Sequence, residues 1–364
     1  MSEAAAQATN ISDSSSKPEP DRLWVRLIAP FSTLRTARLQ TLATLAYPGP
    51  DGIKIQFRHS FNEERDPEEY SGFHDCIGIA STHYPVPRKA RDALLSGTVV
   101  PQTYGDEEEA WDLESIPNTV MEMVRTVAPK LRGALSRTYG VLRWRYSHPG
   151  GAYPFERDYL EWSEDGHDWK DLPPDGFRPY EWDMFELNFS DEQAGEVEGL
   201  LRRDFQEPVA HALFREAWGQ RYENTRSAIV IGMAAAETGL KAFIAKRLPE
   251  AAWLVTETPS PDLLKMLTSF VPTLLSDPAA AVLFSTRKDR SGYQDDVLRA
   301  LQNGVTLRNG IVHKPNAGES PSISTVVDTL EAVRDLLYLL DYYGTHTWAE
   351  ANIRSEVQKA WRGK

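Results

Sequence analysis

Arg308, Asn309 and His313 place a fixed cation, an amide and a titratable imidazole within the short segment LRNGIVHK. A guanidinium can grip a phosphate through two parallel hydrogen bonds and stabilise negative charge that builds on it. An imidazole titrates near neutrality, so it can take a proton from a ribose 2′-hydroxyl or give one to a leaving oxygen. An amide can orient either group. The chemistry that suits this set is phosphodiester cleavage by 2′-hydroxyl attack, which yields a 2′,3′-cyclic phosphate and calls for no metal.

Spacing alone says little. With 28 arginines and 8 histidines in 364 residues, the pattern Arg-x4-His arises by chance roughly 0.6 times. A second copy, Arg143–His148, has the same spacing but runs through a segment that reads as a strand into Pro149. The Arg308 copy differs in its helical setting. On a wheel centred on Leu301, Arg308 falls at about −20°, inside the apolar stripe of Val297, Leu301, Val305 and Val312. Asn309 and His313 fall at about +80° and +120°, together on its flank. A guanidinium on an apolar face needs either an open face or an anionic partner. Glu237, on the edge of a preceding helix's apolar stripe, is either the acid that supplies that partner or a solvated side chain, and Lys314 either adds a phosphate contact or is solvated. The plainer alternative is a structural pair, with Arg308 bridged to an acid on a facing helix and His313 capping its own helix.

These residues must be positioned by helices. Periodicity predicts helices over Pro208–Trp218, Glu223–Leu248, Pro261–Leu275, Gln294–His313 and Ser322–Tyr343, with Asn303-Gly304 and Gly310 weakening the fourth. Short links between such helices give an up-down bundle. Ser190-Asp191-Glu192 offers a helix start just before it. The N-terminal half reads differently. Leu23–Ala29, Ile53–Phe57, Cys76–Ser81, Gly140–Tyr146 and Met184–Phe189 read as strands. Tyr159–Leu172 reads as a hairpin turning at Asp165-Gly166. Asn118–Arg137 is the one helix predicted there. The expected class is therefore α+β: a disordered tail over 1–20, a β-rich α+β domain over 21–189, and an all-α bundle over 190–364.

Composition bounds the function. The chain is 41% hydrophobic and 26% charged with a net charge of −13, which argues against a protein that coats nucleic acid. The excess of acid lies in residues 1–221; residues 222–364 hold 16 basic and 16 acidic side chains. A single cysteine, Cys76, and a polar N-terminus without an apolar core suggest a reducing cytoplasm. No stretch reads as apolar enough to span a bilayer. His59, His74, Asp75, Cys76 and His83 fit no standard zinc spacing, so no metal or cofactor is expected. Phosphate-binding glycine loops and a nucleophile elbow are both missing from the sequence. Trp144, Tyr146, Trp162, Trp169, Tyr180 and Trp182 are expected in the core of a sheet rather than as a base-stacking platform.

The last 160 or so residues resemble the HEPN superfamily, and within it the ApeA-like group of prokaryotic anti-phage proteins. The resemblance rests on RSAIVIGMAAAETGLKAFI (Arg226–Ile244), LRNGIVHK (Leu307–Lys314) and the apolar helix that follows. Gly310, directly after Asn309, departs from the stronger examples. The resemblance implies a homodimer whose two Arg-to-His motifs share a cleft that cuts RNA. It also implies an abortive-infection role, with the N-terminal domain sensing a phage-derived trigger. Some relatives are not catalytic, so the rival expectation is a dimerisation module that binds a partner or a nucleotide.

Overall fold

The computed structural model describes residues 21–36, 44–60, 74–104, 108–148, 158–175, 190–257, 262–275, 294–313 and 320–362. The expected tail over 1–20, the expected strand Met184–Phe189 and the residues Tyr180, Trp182 and Lys314 lie outside them.

The N-terminal half is built on a six-stranded antiparallel sheet of order β2-β3-β4-β1-β7-β8. Its strands are β1 (Arg22–Thr36), β2 (Thr44–Ala46), β3 (Lys54–Ser60), β4 (His74–Pro85), β7 (Tyr159–Ser163) and β8 (Lys170–Leu172). A separate ribbon pairs β5 (Gln102–Tyr104) with β6 (Glu108–Ala110). The alternation in β1 sets the register: Val25 lies opposite Thr82 of β4 and Trp162 of β7. Leu23, Val25 and Leu27 are fully buried on one face with Ile55 and Phe57 of β3. The β7–β8 hairpin turns at Gly166, whose φ of 82° is glycine territory. There the Asp165 carboxylate accepts hydrogen bonds from the backbone N–H groups of His167 and Asp168, which lower its pKa to about 2.

Two helices complete this half, α1 (Arg88–Leu95) and α2 (Asn118–Tyr146). The strand expected over Gly140–Tyr146 is instead the last two turns of α2. The apolar positions of GVLRWRY alternate, but Thr138, Tyr139, Val141, Leu142, Arg143 and Trp144 are all buried. Neighbours therefore enclose the helix on every side, and tertiary packing overrides the local pattern. It ends only at Ser147, which adopts a left-handed cap with φ 54°.

Eight of the ten described helices lie in the C-terminal half. They are α3 (Asp191–Arg202), α4 (Val209–Gly219), α5 (Thr225–Arg247), α6 (Ala252–Glu257), α7 (Leu263–Leu274), α8 (Gln294–His313), α9 (Ile323–Tyr343) and α10 (Ser355–Arg362). A capping box starts α3, where the Ser190 hydroxyl accepts from the Gln193 N–H and the Gln193 side chain accepts from the Ser190 N–H. The buried residues of α3 (Ala194, Val197, Leu200, Leu201) join the sheet core. A second core holds α4, α5 and α7 to α10 together with Trp144 of α2. The change of core thus falls after α3.

Glycines set the approach of the long helices. A Cβ on Gly232 would stand 2.4 Å from Leu330 of α9, and one on Gly239 would stand 2.4 Å from Leu337. On the same side Gly232 faces Ala217 and Gly239 faces Ala210 of α4. So α5 runs antiparallel to α4 and parallel to α9, with leucine knobs in glycine holes at a seven-residue spacing. Gly304 of α8 works likewise, because a Cβ there would meet Met233 and Thr329 at 2.6 Å. What reads in sequence as a weakness of α8 is a point of close packing. By length and composition α5 is apolar enough to cross a membrane, which corrects the expectation that no stretch is; half of its most apolar window is buried inside the protein.

Candidate functional site

The motif occupies the C-terminal turns of α8. Leu301 and Gly304 are buried, and Val297, Leu298, Val305, Leu307 and Ile311 are partly buried against the second core. Arg308 follows on this stripe and is half-buried, while Asn309 and His313 are exposed. The apolar face is therefore not closed at this end of α8.

Arg308 Nη1 donates to Asn309 Oδ1 at 3.0 Å. The amide thus holds the guanidinium from the adjacent position. Among the described residues Arg308 forms no ion pair, so the expected pair with Glu237 does not form there; Glu237, half-buried on α5, has interactions of its own. His313 stands in the last turn of the described helix. Gly310 would meet nothing within 4 Å if it carried a Cβ. Val312, in the last turn of α8, and Ile323, the first residue of α9, are each 49% exposed.

The arginines that are buried behave differently. Arg132 reaches Asp158 at 2.6 Å and Asp175 at 3.0 Å. Arg143 and Arg215 share Glu207, whose side chain is 7% exposed, through Nε–H donors at 2.7 and 2.8 Å. Arg215 also donates to the Arg143 carbonyl at 2.6 Å and to the His148 carbonyl. The second Arg-x4-His copy is thus helical in its first part and lies in a buried network at the joint of the two cores. His148 is half-buried with its Nε2 enclosed and unpartnered among the described residues, and loss of solvent around the ring together with Arg215 lowers its pKa to about 4. Nothing in the spacing marks this joint, because Glu207 and Arg215 lie far along the chain from Arg143.

The aromatic expectation holds for Trp162, buried in the sheet core, while Trp144 is buried in the helical core instead. Trp169 is partly exposed with the Arg26 guanidinium 4.0 Å from its ring centre. His83 is exposed and stacks on Trp24. Among the described residues no group of three or more His, Cys, Asp or Glu side chains is placed to hold a metal. No protein-family model, curated protein or solved structure matches the chain.

Proposed function

We propose that the chain is a metal-independent endoribonuclease, of the HEPN kind that its sequence resembles, with Arg308, Asn309 and His313 as its catalytic residues. One observation carries the reading: Arg308 is held on the bundle without an acid among the described residues, whereas Arg132, Arg143 and Arg215 each have one. A guanidinium oriented by a neighbouring amide and left without a counter-charge is suited to an incoming phosphate.

In this reaction His313 takes the proton of a ribose 2′-hydroxyl, and the oxygen attacks phosphorus. Arg308 stabilises the charge on the non-bridging oxygens. The bond to the 5′-oxygen breaks, and that oxygen takes a proton from the His313 imidazolium to leave as a hydroxyl, which returns the imidazole to its neutral form. The products are a 2′,3′-cyclic phosphate and a 5′-hydroxyl end. The exposed apolar pair Val312 and Ile323 beside the motif suits a second copy of the chain, which would bring its own Arg308 and His313 to a shared cleft. The up-down arrangement of α4, α5, α8 and α9 is compatible with that family. Anti-phage defence in the cytoplasm, with the sheet half as the sensor, extends the same reading.

The test uses the full chain with end-labelled RNA in EDTA. Cleavage with cyclic-phosphate ends is expected. His313→Ala should slow it by about 10²–10⁴-fold, and Arg308→Ala by about 10²–10³-fold. Cleavage that persists in His313→Ala overturns the assignment. Intact RNA with a dimer that Arg308→Ala dissociates would favour a non-catalytic interaction module, in which Arg308 is an interface anchor.

A further inference from the structure

A cavity of about 460 Å³ lies where the two cores meet. Arg308, Asn309 and His313 do not line it. Its walls come from the end of α2 (Trp144), the link after α3 (Phe205), α4, α5 (Phe243), α9 (Leu337) and the segment after α9. Exposed Val209, Ala242 and Lys246 mark its mouth. Ligand cavities for small organic molecules hold roughly 300–1,000 Å³, apolar in the main with a few fixed polar groups. This one follows that plan.

The polar groups are His211, Asp341, His346 and Lys246. His211 is 2% exposed, and its Nε2 lies 2.9 Å from Asp341 Oδ2. Its Nδ1 has no hydrogen-bond partner among the described residues. Asp341 Oδ2 is already the acceptor for the Trp144 indole N–H at 2.8 Å. A buried imidazole left this way is costly, and a ligand that brought a hydroxyl would relieve it. His346 stands edge-on to Trp144 and Phe205, at 5.1 and 5.0 Å between ring centres. Burial lowers its pKa, so it serves as a neutral wall. Lys246 donates to the Gly344 carbonyl at 2.9 Å, and an ammonium has two further donors.

We infer that this cavity binds a small anionic amphiphile. Its apolar or aromatic body sits between Trp144, Phe205, Phe243 and Leu337. Its acid group is held at the mouth by Lys246, and a hydroxyl at the inner end reaches His211. The wall is too apolar for a ligand with polar edges all round, such as a nucleotide. The inference does not depend on the phosphodiester chemistry proposed for Arg308.

The experiment is calorimetric titration of the full chain with 6-hydroxy-2-naphthoate, 2-naphthoate and 2-naphthol. A single saturable site is expected for the first. Losing the hydroxyl or the carboxylate should each weaken binding by about tenfold or more. Lys246→Gln should weaken both carboxylates and leave 2-naphthol unchanged. His211→Phe should abolish the advantage of the hydroxyl. Ala242→Trp changes only an exposed residue at the mouth, so it should fold normally and block all three. Absence of saturable binding by any of them overturns the inference, as does binding that Ala242→Trp leaves intact.

Discussion

Replacing Glu207 with alanine would remove the one carboxylate shared by Arg143 and Arg215. Both guanidinium side chains are 3% exposed, so water cannot replace it. Removing one partner of a buried ion pair costs roughly 3–5 kcal/mol, because the other charge stays buried without compensation. Here two guanidinium groups lose the carboxylate at once, although Arg143 keeps a further contact of its own. The backbone carbonyls of Arg143 and His148 still accept from Arg215 and offset part of that loss. The expected loss for Glu207→Ala is therefore about 3–5 kcal/mol. Asp204→Ala is the comparison. It removes the partner of Arg137, but Asp204 is 85% exposed and its pair belongs to the surface class, at about 1 kcal/mol or less. Urea denaturation followed by tryptophan fluorescence and circular dichroism measures both. Glu207→Ala should shift the midpoint far more than Asp204→Ala. Equal midpoints would refute the claim that this network is an electrostatic necessity of the joint. The triple change Glu207→Leu, Arg143→Met, Arg215→Met should recover much of the loss, since apolar replacement of a whole buried network is often neutral.

Further outcomes follow from the same contacts. The His148 imidazole has a pKa of about 4 in the folded chain against 6.5 free. As pH falls below 6.5 the unfolded chain takes up a proton that the folded chain refuses, so stability should drop until about pH 4 and then level. His148→Gln should flatten that part of the denaturation profile. Gly304→Val should destabilise by about 1–3 kcal/mol through overpacking against Met233 and Thr329. Gly310→Ala faces open space and should stabilise α8 by up to about 1 kcal/mol in thermal melts. Asp335 is fully buried and holds Arg354 at 2.6 Å; Asp335→Ala should speed amide exchange over Thr347–Arg362 first.

Helices with a clean period were legible in the sequence. A helix over Gln294–His313 was predicted, and α4, α5 and α9 were predicted within two residues at each end. Such segments bury one face, so the pattern and the structure carry the same information. The end of α2 was not legible, because it is enclosed all round and its period disappears. Gly304 was misread for a related reason: a local penalty is visible in sequence, whereas the neighbour that requires the small residue is not. The spacing of Arg308, Asn309 and His313 was visible, as was their position on a helix. That Arg308 would lack an acid among the described residues was not, since pairing depends on which helices meet. The cavity drew on Trp144, His211, Lys246, Asp341 and His346, and no window of sequence contains them together.

A helix of 29 residues at 1.5 Å per residue makes α2 a strut of about 43 Å. It begins in the sheet core and ends with Trp144 in the helical core, where the Trp144 carbonyl accepts from the Tyr338 hydroxyl at 2.9 Å. The two halves therefore do not separate like beads on a string. A fragment begun near residue 190 would leave a tryptophan-sized void beside Tyr338 and strip Arg215 of its carbonyl acceptors. Toxicity or activity of such a fragment would then report on a damaged bundle, and dissection of this protein is better done by point substitution in the intact chain. The strut also gives any ligand on the sheet a stiff mechanical route to the bundle.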